Sequence, residues 1–445
     1  MKVIQETAKI FNTVIGEQKI TNDAKYRLLV FCIHLKYDND VNLIFNNLTK
    51  EMVVLTDYEY AFLTNENISI SESFIQELIK KWFLVPIDHD DYKLSQQVVS
   101  LARQFTDKSY INSFTVTTTT ACNARCFYCF EAGAKVSTMS ADTALDVAKY
   151  IIENSKGNYF NITWFGGEPL CNKNAMNIIS KYLKENNADF SSYMITNGYL
   201  FNKETIAQEK ELWNLKQLQI TLDGMPDTYR KVKNYVNGDK DPFTRVINNI
   251  EDLLKCGIKV IARINMDRHN EEELYKLVDL LHNRFSKYEK FSLYAHLLFE
   301  ESGFTPLKRS DDQRLDIADK FAKLSEYIYS LKLYGKIRFV SNDVKKSFCM
   351  ADNCQAIMIS PEGKIGKCEH FVDSKFIGSI YEPKVQEIWD DYFYEKKCEI
   401  CPCQPSCLQL KSCPENSVCY EFNKQQRLTV LKRQMVSTYE NSVKN

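Results

Sequence analysis

The sequence contains no apolar run approaching the roughly 20 residues that a membrane-spanning helix requires. Its first segment, MKVIQETAKIFNTVIGEQKI, has neither an uninterrupted apolar core nor a small-residue cleavage site, so we expect no signal peptide. The formal net charge is only −1, which creates no overall field that would attract nucleic acid or an anionic membrane. These absences predict a cytoplasmic protein with no membrane partner and no nucleic-acid partner.

Histidine is also scarce, and the six histidines show no spacing typical of metal ligands, so we interpret them as structural. The sequence has no internal repeats and no low-complexity linkers. A chain of 445 residues is long enough for about three domains. Changes in pattern along the chain predict domains at 1–105, 106–335 and 336–445.

Cysteine, in contrast, is abundant, with fifteen residues. Clustered thiols in a cytoplasmic chain bind metal more often than they form disulfides. Three of the cysteines fall within residues 122–129 and nine within residues 349–419. Cys32, Cys171 and Cys256 stand alone, and we expect them to be small buried side chains.

The first region has the pattern of a small α+β module. The segment YRLLVFCIHLKY is apolar and aromatic, and LIFNNLTKEMVVL predicts two short strands around a turn at residues 47–50. SFIQELIKKWFLV predicts an amphipathic helix that leads into a strand. Strand pairs beside helices at this size suggest a winged-helix-like module.

The central region alternates strand and helix patterns, and Ser140 is expected to cap the first of its helices. The six candidate strands are FTVTTT (114–119), NITWF (161–165), SYMIT (192–196), LQITL (218–222), KVIARI (259–264) and FSLYAHLL (291–298). This series predicts an α/β fold with a parallel sheet, either doubly wound or curled into a barrel. In both folds chemistry lies at the carboxyl ends of the strands.

A loop with three cysteines, TTTTACNARCFYCFEAG, follows the first of these strands. Its Cys122, Cys126 and Cys129 have the spacing Cx3Cx2C. Zinc prefers four closed ligands in paired spacing, which makes a zinc site, like a disulfide, the lesser alternative. Three thiolates can hold three irons of a 4Fe–4S cluster and leave the fourth iron open to a chelating cofactor.

The loop resembles the defining motif of the radical S-adenosylmethionine (SAM) superfamily, and the resemblance extends from residue 114 to about 300. It implies a partial (β/α)6 TIM-like barrel in which the cluster cleaves SAM reductively to a 5′-deoxyadenosyl radical. FGGEP after the second strand, TNG after the third and TLDG after the fourth are similar to family segments that meet the cofactor, although TNG and DG are also common turns. The cofactor-binding residues that the resemblance implies are Tyr128, Gly166, Gly167, Glu168, Thr196, Asn197, Thr221, Asp223 and Lys233.

Several of these residues have a specific expected role. The glycines of FGGEP should let the backbone approach the ligand closely, and Glu168 should accept a charge-assisted hydrogen bond from the methionine ammonium. Tyr128 stands where the family places an aromatic ring near the adenine. Lys233 lies where relatives often carry a cofactor-binding cation, with a solvated surface lysine as the alternative.

The cysteine-rich region fits one or two zinc ribbons when it is considered in isolation. Its order resembles the SPASM domain, a C-terminal extension of radical SAM enzymes that holds two auxiliary 4Fe–4S clusters. The resemblance assigns one cluster to Cys349, Cys354, Cys368 and Cys413, and the other to Cys398, Cys401, Cys407 and Cys419. The gap between Cys407 and Cys413 departs from the family, and Cys403 is extra, so Cys403 either replaces Cys401 or is free.

The leading hypothesis is a peptide maturase with SAM and three 4Fe–4S clusters as cofactors. The N-terminal module loosely resembles the recognition element that binds the leader of a ribosomally made precursor peptide as an added edge strand, with a purely structural cap as the alternative. The predicted product is a cross-link, first of all a thioether, while a carbon–carbon link, epimerisation and sulfatase-type formylglycine formation stay open. An external one-electron reductant such as flavodoxin or ferredoxin is implied. The alternative from another class is a non-catalytic iron–sulfur electron carrier or zinc scaffold, which does not account for the strand-end motifs.

Glu369 is the candidate catalytic residue. It directly follows Cys368, and some SPASM relatives use an acidic residue at this place as a base during substrate oxidation. The alternative is a solvated glutamate beside His370.

Overall fold

The computed structural model divides the chain into two units. The first comprises Met1–Thr106, Lys336–Phe348 and Asp390–Asn445, and the second comprises Asp107–Gly335 and Cys349–Trp389. The structure describes residues 1–20, 25–64, 68–267, 270–298, 311–334, 339–344, 347, 349–382, 388–392, 394–407, 409–413, 419 and 421–444. The predicted domain boundaries at 105 and 335 stay predictions.

The N-terminal part of the first unit is an α+β module. Its strands are β1 (Lys2–Gln5), β2 (Tyr26–Leu28), β3 (Cys32–Asp38), β4 (Val41–Asn46), β5 (Met52–Leu55) and β6 (Leu84–Pro86), and its helices are α1 (Ala8–Ile15), α2 (Asp57–Thr64), α3 (Glu72–Lys80) and α4 (Asp91–Gln104). The antiparallel order β1-β5-β4-β3 leaves β1 and β3 at the sheet edges, while β2 pairs with β6. The predicted strand pair around residues 47–50 and the predicted helix-to-strand segment are both present, and the winged-helix-like identity stays a prediction.

The second unit is an α/β fold around a mostly parallel sheet. Its strands are β7 (Ser113–Thr119), β8 (Phe160–Gly166), β9 (Phe190–Thr196), β10 (Leu215–Leu222), β11 (Lys259–Met266) and β12 (Phe291–Leu297), and its helices are α5 (Ala141–Ser155), α6 (Lys173–Glu185), α7 (Ile206–Trp213), α8 (Pro226–Lys233), α9 (Pro242–Lys255), α10 (Glu271–Phe285) and α11 (Asp311–Ser330). All six predicted strands are present, and each pairs in parallel with its neighbours in chain order. Ser140 caps α5 as predicted, because its hydroxyl accepts a hydrogen bond from the Thr143 N–H at 3.1 Å.

The cysteine-rich region contributes to both units. Strands β13 (Ala356–Ile359), β14 (Lys364–Gly366) and β15 (Phe376–Ser379) extend the parallel sheet, because β13 pairs in parallel with β7. Helix α12 (Glu421–Lys444) belongs to the first unit, where Met435 is fully buried in a cluster with Leu43 and Phe45. No helix among the described residues has both the length and the apolar character that crossing a membrane would need.

The two faces of the parallel sheet differ in polarity. Side chains such as Ile220 and Ile264 point to the helices and are fully buried in the main core, since strand side chains alternate between faces. The opposite face carries Gln219, Arg263 and Tyr294, which are only half-buried. This polar face leads directly to the strand ends where the candidate site lies.

Candidate functional site

The carboxyl ends of four neighbouring parallel strands bring the predicted cofactor-binding residues together. The strands β7, β8, β9 and β10 end at Thr119, Gly166, Thr196 and Leu222. Parallel strands end at the same edge of a sheet, so the segments that follow them are neighbours. Hydrogen bonds confirm this: Asn197 Nδ2 donates to Asn123 Oδ1 at 2.7 Å, and the Tyr128 hydroxyl donates to Asp223 Oδ1 at 2.8 Å.

The three cysteines of the loop after β7 are half-buried. Burial raises the pKa of Cys122 to about 12 and also raises the pKa of Cys126 and of Cys129. The thiolate is the metal-binding form, so metal binding at this loop would release these protons. Among the described residues, no three His, Cys, Asp or Glu side chains are close enough to share a single metal ion. A 4Fe–4S cluster makes no such demand, because each thiolate binds a different iron.

Gly166 and Gly167 are required by the contact between β8 and the start of the cysteine loop. A Cβ atom on Gly166, whose φ is +132°, would lie 2.0 Å from the Thr119 carbonyl oxygen, and one on Gly167 would lie 2.6 Å from the Ala121 carbonyl oxygen. The Gly167 N–H donates to the Thr119 oxygen at 3.1 Å. Both glycines therefore hold the cysteine loop against β8, a role additional to the close approach to a ligand that the resemblance implies.

Glu168 is fully buried at the end of β8. Its Oε1 accepts hydrogen bonds from the Thr196 hydroxyl at 2.8 Å and from the Leu170 N–H at 3.1 Å, and its Oε2 accepts one from the Asn197 N–H at 2.8 Å. Burial raises the pKa of this carboxyl, although the three hydrogen bonds counteract the effect. A carboxylate has about four acceptor positions, so one remains for a donor such as an ammonium group. Thr196 and Asn197 orient Glu168, and any direct contact of theirs with the cofactor stays a prediction.

Replacing Glu168 with glutamine should weaken SAM binding while iron content is retained. The amide removes a charge-assisted hydrogen bond worth on the order of 1.5–3 kcal/mol, which corresponds to roughly a 10- to 150-fold higher Kd. Equilibrium dialysis of SAM against the reconstituted protein measures the change. Glu204→Gln, on an exposed position after β9, is the matched control. An unchanged Kd for the Glu168 variant would show that this carboxylate serves the fold alone.

Lys233 is buried and paired, so it is not a solvated surface lysine, while its cofactor-binding role stays a prediction. Its ammonium lies 3.0 Å from Asp223 Oδ2 and donates to the Tyr128 hydroxyl at 3.1 Å. Burial by itself lowers the pKa of Lys233, but the Asp223 carboxylate outweighs it and holds the pKa well above its usual range. The Lys233 carbonyl accepts from the Arg125 N–H at 2.8 Å, so the end of α8 also fixes the cysteine loop. Tyr128, Asp223 and Lys233 therefore form one buried charged network beside Cys126.

Four of the buried polar side-chain atoms without a hydrogen-bond partner lie on β7, in the cysteine loop or directly after β10. Of nine such side-chain atoms among the described residues, four belong to Thr117, Asn123, Glu131 and Asp223. Asp223 Oδ2 has the ammonium of Lys233 nearby but no hydrogen bond of normal geometry. Buried polar groups are rarely left unpaired in native proteins, so this cluster fits the binding of a polar cofactor. Thr221 lies on the same polar face, and its role stays a prediction.

The sequence patterns missed three polar residues that continue this network. Asn265 Nδ2 donates to Asp223 Oδ1 at 2.8 Å, and the amide oxygen of Asn265 accepts from Arg263 Nε at 3.0 Å. Arg263 Nη2 in turn contacts His296 Nδ1 at 2.9 Å. For Arg263 and Asn265 the signal was present in KVIARINM, where polar residues alternate with apolar ones at the end of a strand.

Cys349, Cys354 and Cys368 lie in the second unit, on either side of β13 and β14. The buried Lys367 donates to the carbonyl oxygens of Asn353 and Ala356, and burial lowers its pKa to about 8. Lys367 interacts electrostatically with Cys354, Asp352 and Cys349, and a buried cation beside thiols fits an anionic metal–thiolate group. These cysteines stay predicted ligands.

The remaining cysteines of the region lie in the first unit, together with the N-terminal module. They are Cys398, Cys401, Cys403, Cys407, Cys413 and Cys419. The turn after β4 holds their loop, because Asn47 Nδ2 donates to the Pro402 oxygen at 2.9 Å and the buried Lys50 ammonium donates to the Ser406 hydroxyl at 3.0 Å. Cys403 is buried. Its pKa is raised, mainly by a hydrogen bond with Cys401 and to a lesser extent by burial. The division of these cysteines between two clusters stays a prediction.

Residues 116–281 match the model of the radical SAM superfamily. Curated relatives include the GTP 3′,8-cyclase of Helicobacter pylori, 28% identical over 280 residues, which is 59% of this chain and 82% of the relative. The GTP 3′,8-cyclase of Nautilia profundicola is 25% identical over 281 residues, again 59% of this chain and 82% of the relative.

Two solved structures share the fold at low sequence identity. The structure of anSMEcpe with bound AdoMet has a TM-score of 0.57 at 14% identity and covers 74% of this chain and 96% of its own. The structure of SuiB from Streptococcus suis has a TM-score of 0.50 at 18% identity and covers 91% of this chain and 100% of its own. With the strand-end geometry, these findings identify residues 116–281 as a radical SAM domain. Such a domain implies SAM and one 4Fe–4S cluster as cofactors.

Proposed function

We propose that the chain is a radical SAM peptide maturase that recognises the leader of a precursor peptide and cross-links its core segment, in the simplest case through a thioether. Cys122, Cys126 and Cys129 would hold the 4Fe–4S cluster, while Glu168 and the Asp223–Lys233 pair would bind SAM. When bound, these cofactors supply a radical that removes one hydrogen atom from the substrate. The residues of the chain itself would bind and orient the cofactors and the substrate and shield the radical.

The observation that carries the peptide assignment is the edge strand β3 of the N-terminal sheet. Among the described strands, β3 pairs only with β4. Both faces of β3 are covered, because Ile33 packs in the α12 cluster and the His34 ring stacks on Tyr60 of α2 at 3.8 Å. An extended peptide would pair with the outer main-chain N–H and C=O groups of β3 and so add a strand to the sheet. In support, SuiB and anSMEcpe have each been solved with a peptide bound, SuiB with its precursor peptide SuiA.

A thioether requires a base and an electron acceptor in addition to the radical. When a substrate carbon radical joins a substrate thiol, the C–S bond forms, the S–H proton is released and one electron leaves. Glu369 is half-buried and is proposed to take the proton. Its neighbour His370 has its ring 4.5 Å from Phe130, the residue after Cys129, so the Glu369 segment lies beside the cysteine loop. Cys349, Cys354 and Cys368 are the proposed holders of the one-electron acceptor.

The test is mass spectrometry of a candidate precursor peptide, chosen from short reading frames beside the gene, after anaerobic incubation with reductant and SAM. Thioether formation should lower the peptide mass by two hydrogen atoms per cross-link. Glu369→Gln should keep iron content and 5′-deoxyadenosine formation yet lose most of this product, whereas Glu382→Gln, an exposed control, should not. Wild-type yield from the Glu369 variant at every pH tested would remove Glu369 from the reaction. Peptide left unmodified while 5′-deoxyadenosine accumulates would reject the proposal.

Leader recognition is best tested on the substrate. Met435 of α12 is buried against the sheet that holds β3 and β4, so deleting the N-terminal module would expose the core of the whole first unit. In the same assay, a leaderless form of the peptide should be processed more slowly than the full precursor. Equal rates for both forms would exclude the leader-binding role of β3.

The curated relatives favour one second candidate, a reaction on a nucleotide, because those relatives are GTP 3′,8-cyclases. Their match leaves about two fifths of this chain unmatched. The peptide assignment gives functions to those unmatched regions. Incubation with GTP under the same conditions separates the two. Consumption of GTP with an unchanged peptide would replace the maturase proposal.

A further inference from the structure

Arg263 is a charged side chain on the polar face of the parallel sheet. Its neighbours in the strand, Ala262 and Ile264, point to the helices and are fully buried, whereas Arg263 faces the other way and is half-buried. The strand register aligns Arg263 with Thr221 on β10 and Tyr294 on β12. The guanidinium therefore belongs to the face that leads to the candidate cofactor site.

An amide oxygen and an imidazole nitrogen hold this guanidinium in place. Its Nε donates to Asn265 Oδ1 at 3.0 Å, and its Nη2 is 2.9 Å from His296 Nδ1. A guanidinium can only donate, so His296 Nδ1 is the acceptor of this hydrogen bond. Among the described residues, no carboxylate pairs with Arg263 and no acceptor meets its Nη1.

The contrast with Lys233 shows that this arrangement is unusual for the site. Lys233, the buried cation of the network, has the Asp223 carboxylate at 3.0 Å, whereas Arg263 is half-buried. Asp223 also accepts a hydrogen bond from Asn265, which in turn accepts one from Arg263. The Asp223 carboxylate therefore balances the charge of Lys233 but is connected to Arg263 only through the Asn265 amide. Holding a partly desolvated cation without a counter-ion is unfavourable unless an anion joins it.

We propose that Arg263 binds a carboxylate of the substrate peptide, an Asp or Glu side chain close to the modified residue. This inference rests on the proposed function and narrows its substrate class to peptides with an acidic core residue. The planar guanidinium matches a carboxylate with two parallel hydrogen bonds, and Nη1 has both of its hydrogens to offer. SAM carries a carboxylate as well, so the experiment must separate the two sources.

The experiment is arginine modification of the reconstituted protein by phenylglyoxal, followed residue by residue by mass spectrometry. Glutarate serves as the carboxylate probe, glutaramide as its neutral counterpart and SAM as the second source. Arg230, which is exposed and pairs weakly with Asp227 at 3.4 Å, is the internal reference. Glutarate should slow modification of Arg263 severalfold, with SAM present or absent, while glutaramide should not and Arg230 should react at an unchanged rate.

Three results would overturn the proposal. These are an Arg263 that phenylglyoxal never reaches, equal protection at Arg263 and Arg230, and full protection by SAM with nothing added by glutarate. A second readout guards against misfolded variants: glutarate should raise the Tm of the wild type and leave the Tm of Arg263→Gln unchanged. Neither readout needs turnover or a precursor peptide, so failure here is distinct from failure of the maturase proposal.

Discussion

Replacing Cys122, Cys126 and Cys129 together with alanine should abolish 5′-deoxyadenosine formation and remove about four of roughly twelve iron atoms per chain. The reason is that the loop after β7 supplies every protein ligand proposed for the cluster that opens one iron to SAM. Iron and sulfide analysis of the reconstituted protein, followed by chromatography of 5′-deoxyadenosine formed under anaerobic reducing conditions, measures both effects.

The matched control is Cys256→Ala, because Cys256 is a half-buried thiol at the end of α9, far along the chain from both cysteine groups. That variant should keep full iron content and full cofactor cleavage. Cleavage that survives in the triple variant would contradict the assignment of this loop. If the triple variant instead loses all of its iron, assembly of the other predicted clusters depends on the cysteines of this loop.

The part of the fold that could be predicted from sequence is the part set by local periodicity. Each of the strands β7 to β12 alternates or runs apolar between helical stretches, and Ser140 carries the signature of a helix cap. The strand-end motifs were recognised by their resemblance to the radical SAM superfamily, and parallel strands place such segments at one edge of the sheet. Local pattern was sufficient because these elements pair with their neighbours in the chain.

Long-range pairing could not be predicted in this way. Strand β13 joins β7 although more than 230 residues separate Val116 from Ile359, and four-residue strands carry little periodic signal. The contact of Lys50 with Ser406, 356 positions away, is of the same kind. These two long-range contacts decide which unit a cysteine belongs to. The division of the cysteine-rich region between the units could therefore not be predicted from cysteine spacing alone.

The candidate site was predictable where a motif marks it and not where only orientation does. Glu168 and Asp223 stand in recognisable segments, whereas Asn265 and Arg263 stand out only once the strand register shows which face they occupy. Lys233 could not be decided from sequence, because a lysine within RKVKNY is usually solvated. Its burial depends on the end of α8 meeting the cysteine loop.

The buried pair Asp223–Lys233 should be intolerant of losing one partner. Both side chains are less than 5% exposed, at 2% for Asp223 and 4% for Lys233. Lys233→Met leaves a buried carboxylate without its counter-ion, and Asp223→Asn leaves a buried ammonium. Each single variant should therefore lower the free energy of unfolding by about 3–5 kcal/mol, as judged by denaturant titration of the reconstituted protein.

The double variant Asp223→Asn with Lys233→Met separates stability from cofactor binding. It removes both charges and keeps the approximate volume, so the free energy of unfolding should return close to the wild-type value. SAM affinity should stay low, because the cofactor would lose the charged groups proposed to meet it. The exposed pair Arg230–Asp227 on the same helix is the control, and its removal should change neither quantity appreciably. Recovery of SAM affinity together with stability would show that the buried pair only holds α8 against the cysteine loop, which would leave Glu168 as the remaining charged residue proposed for the cofactor.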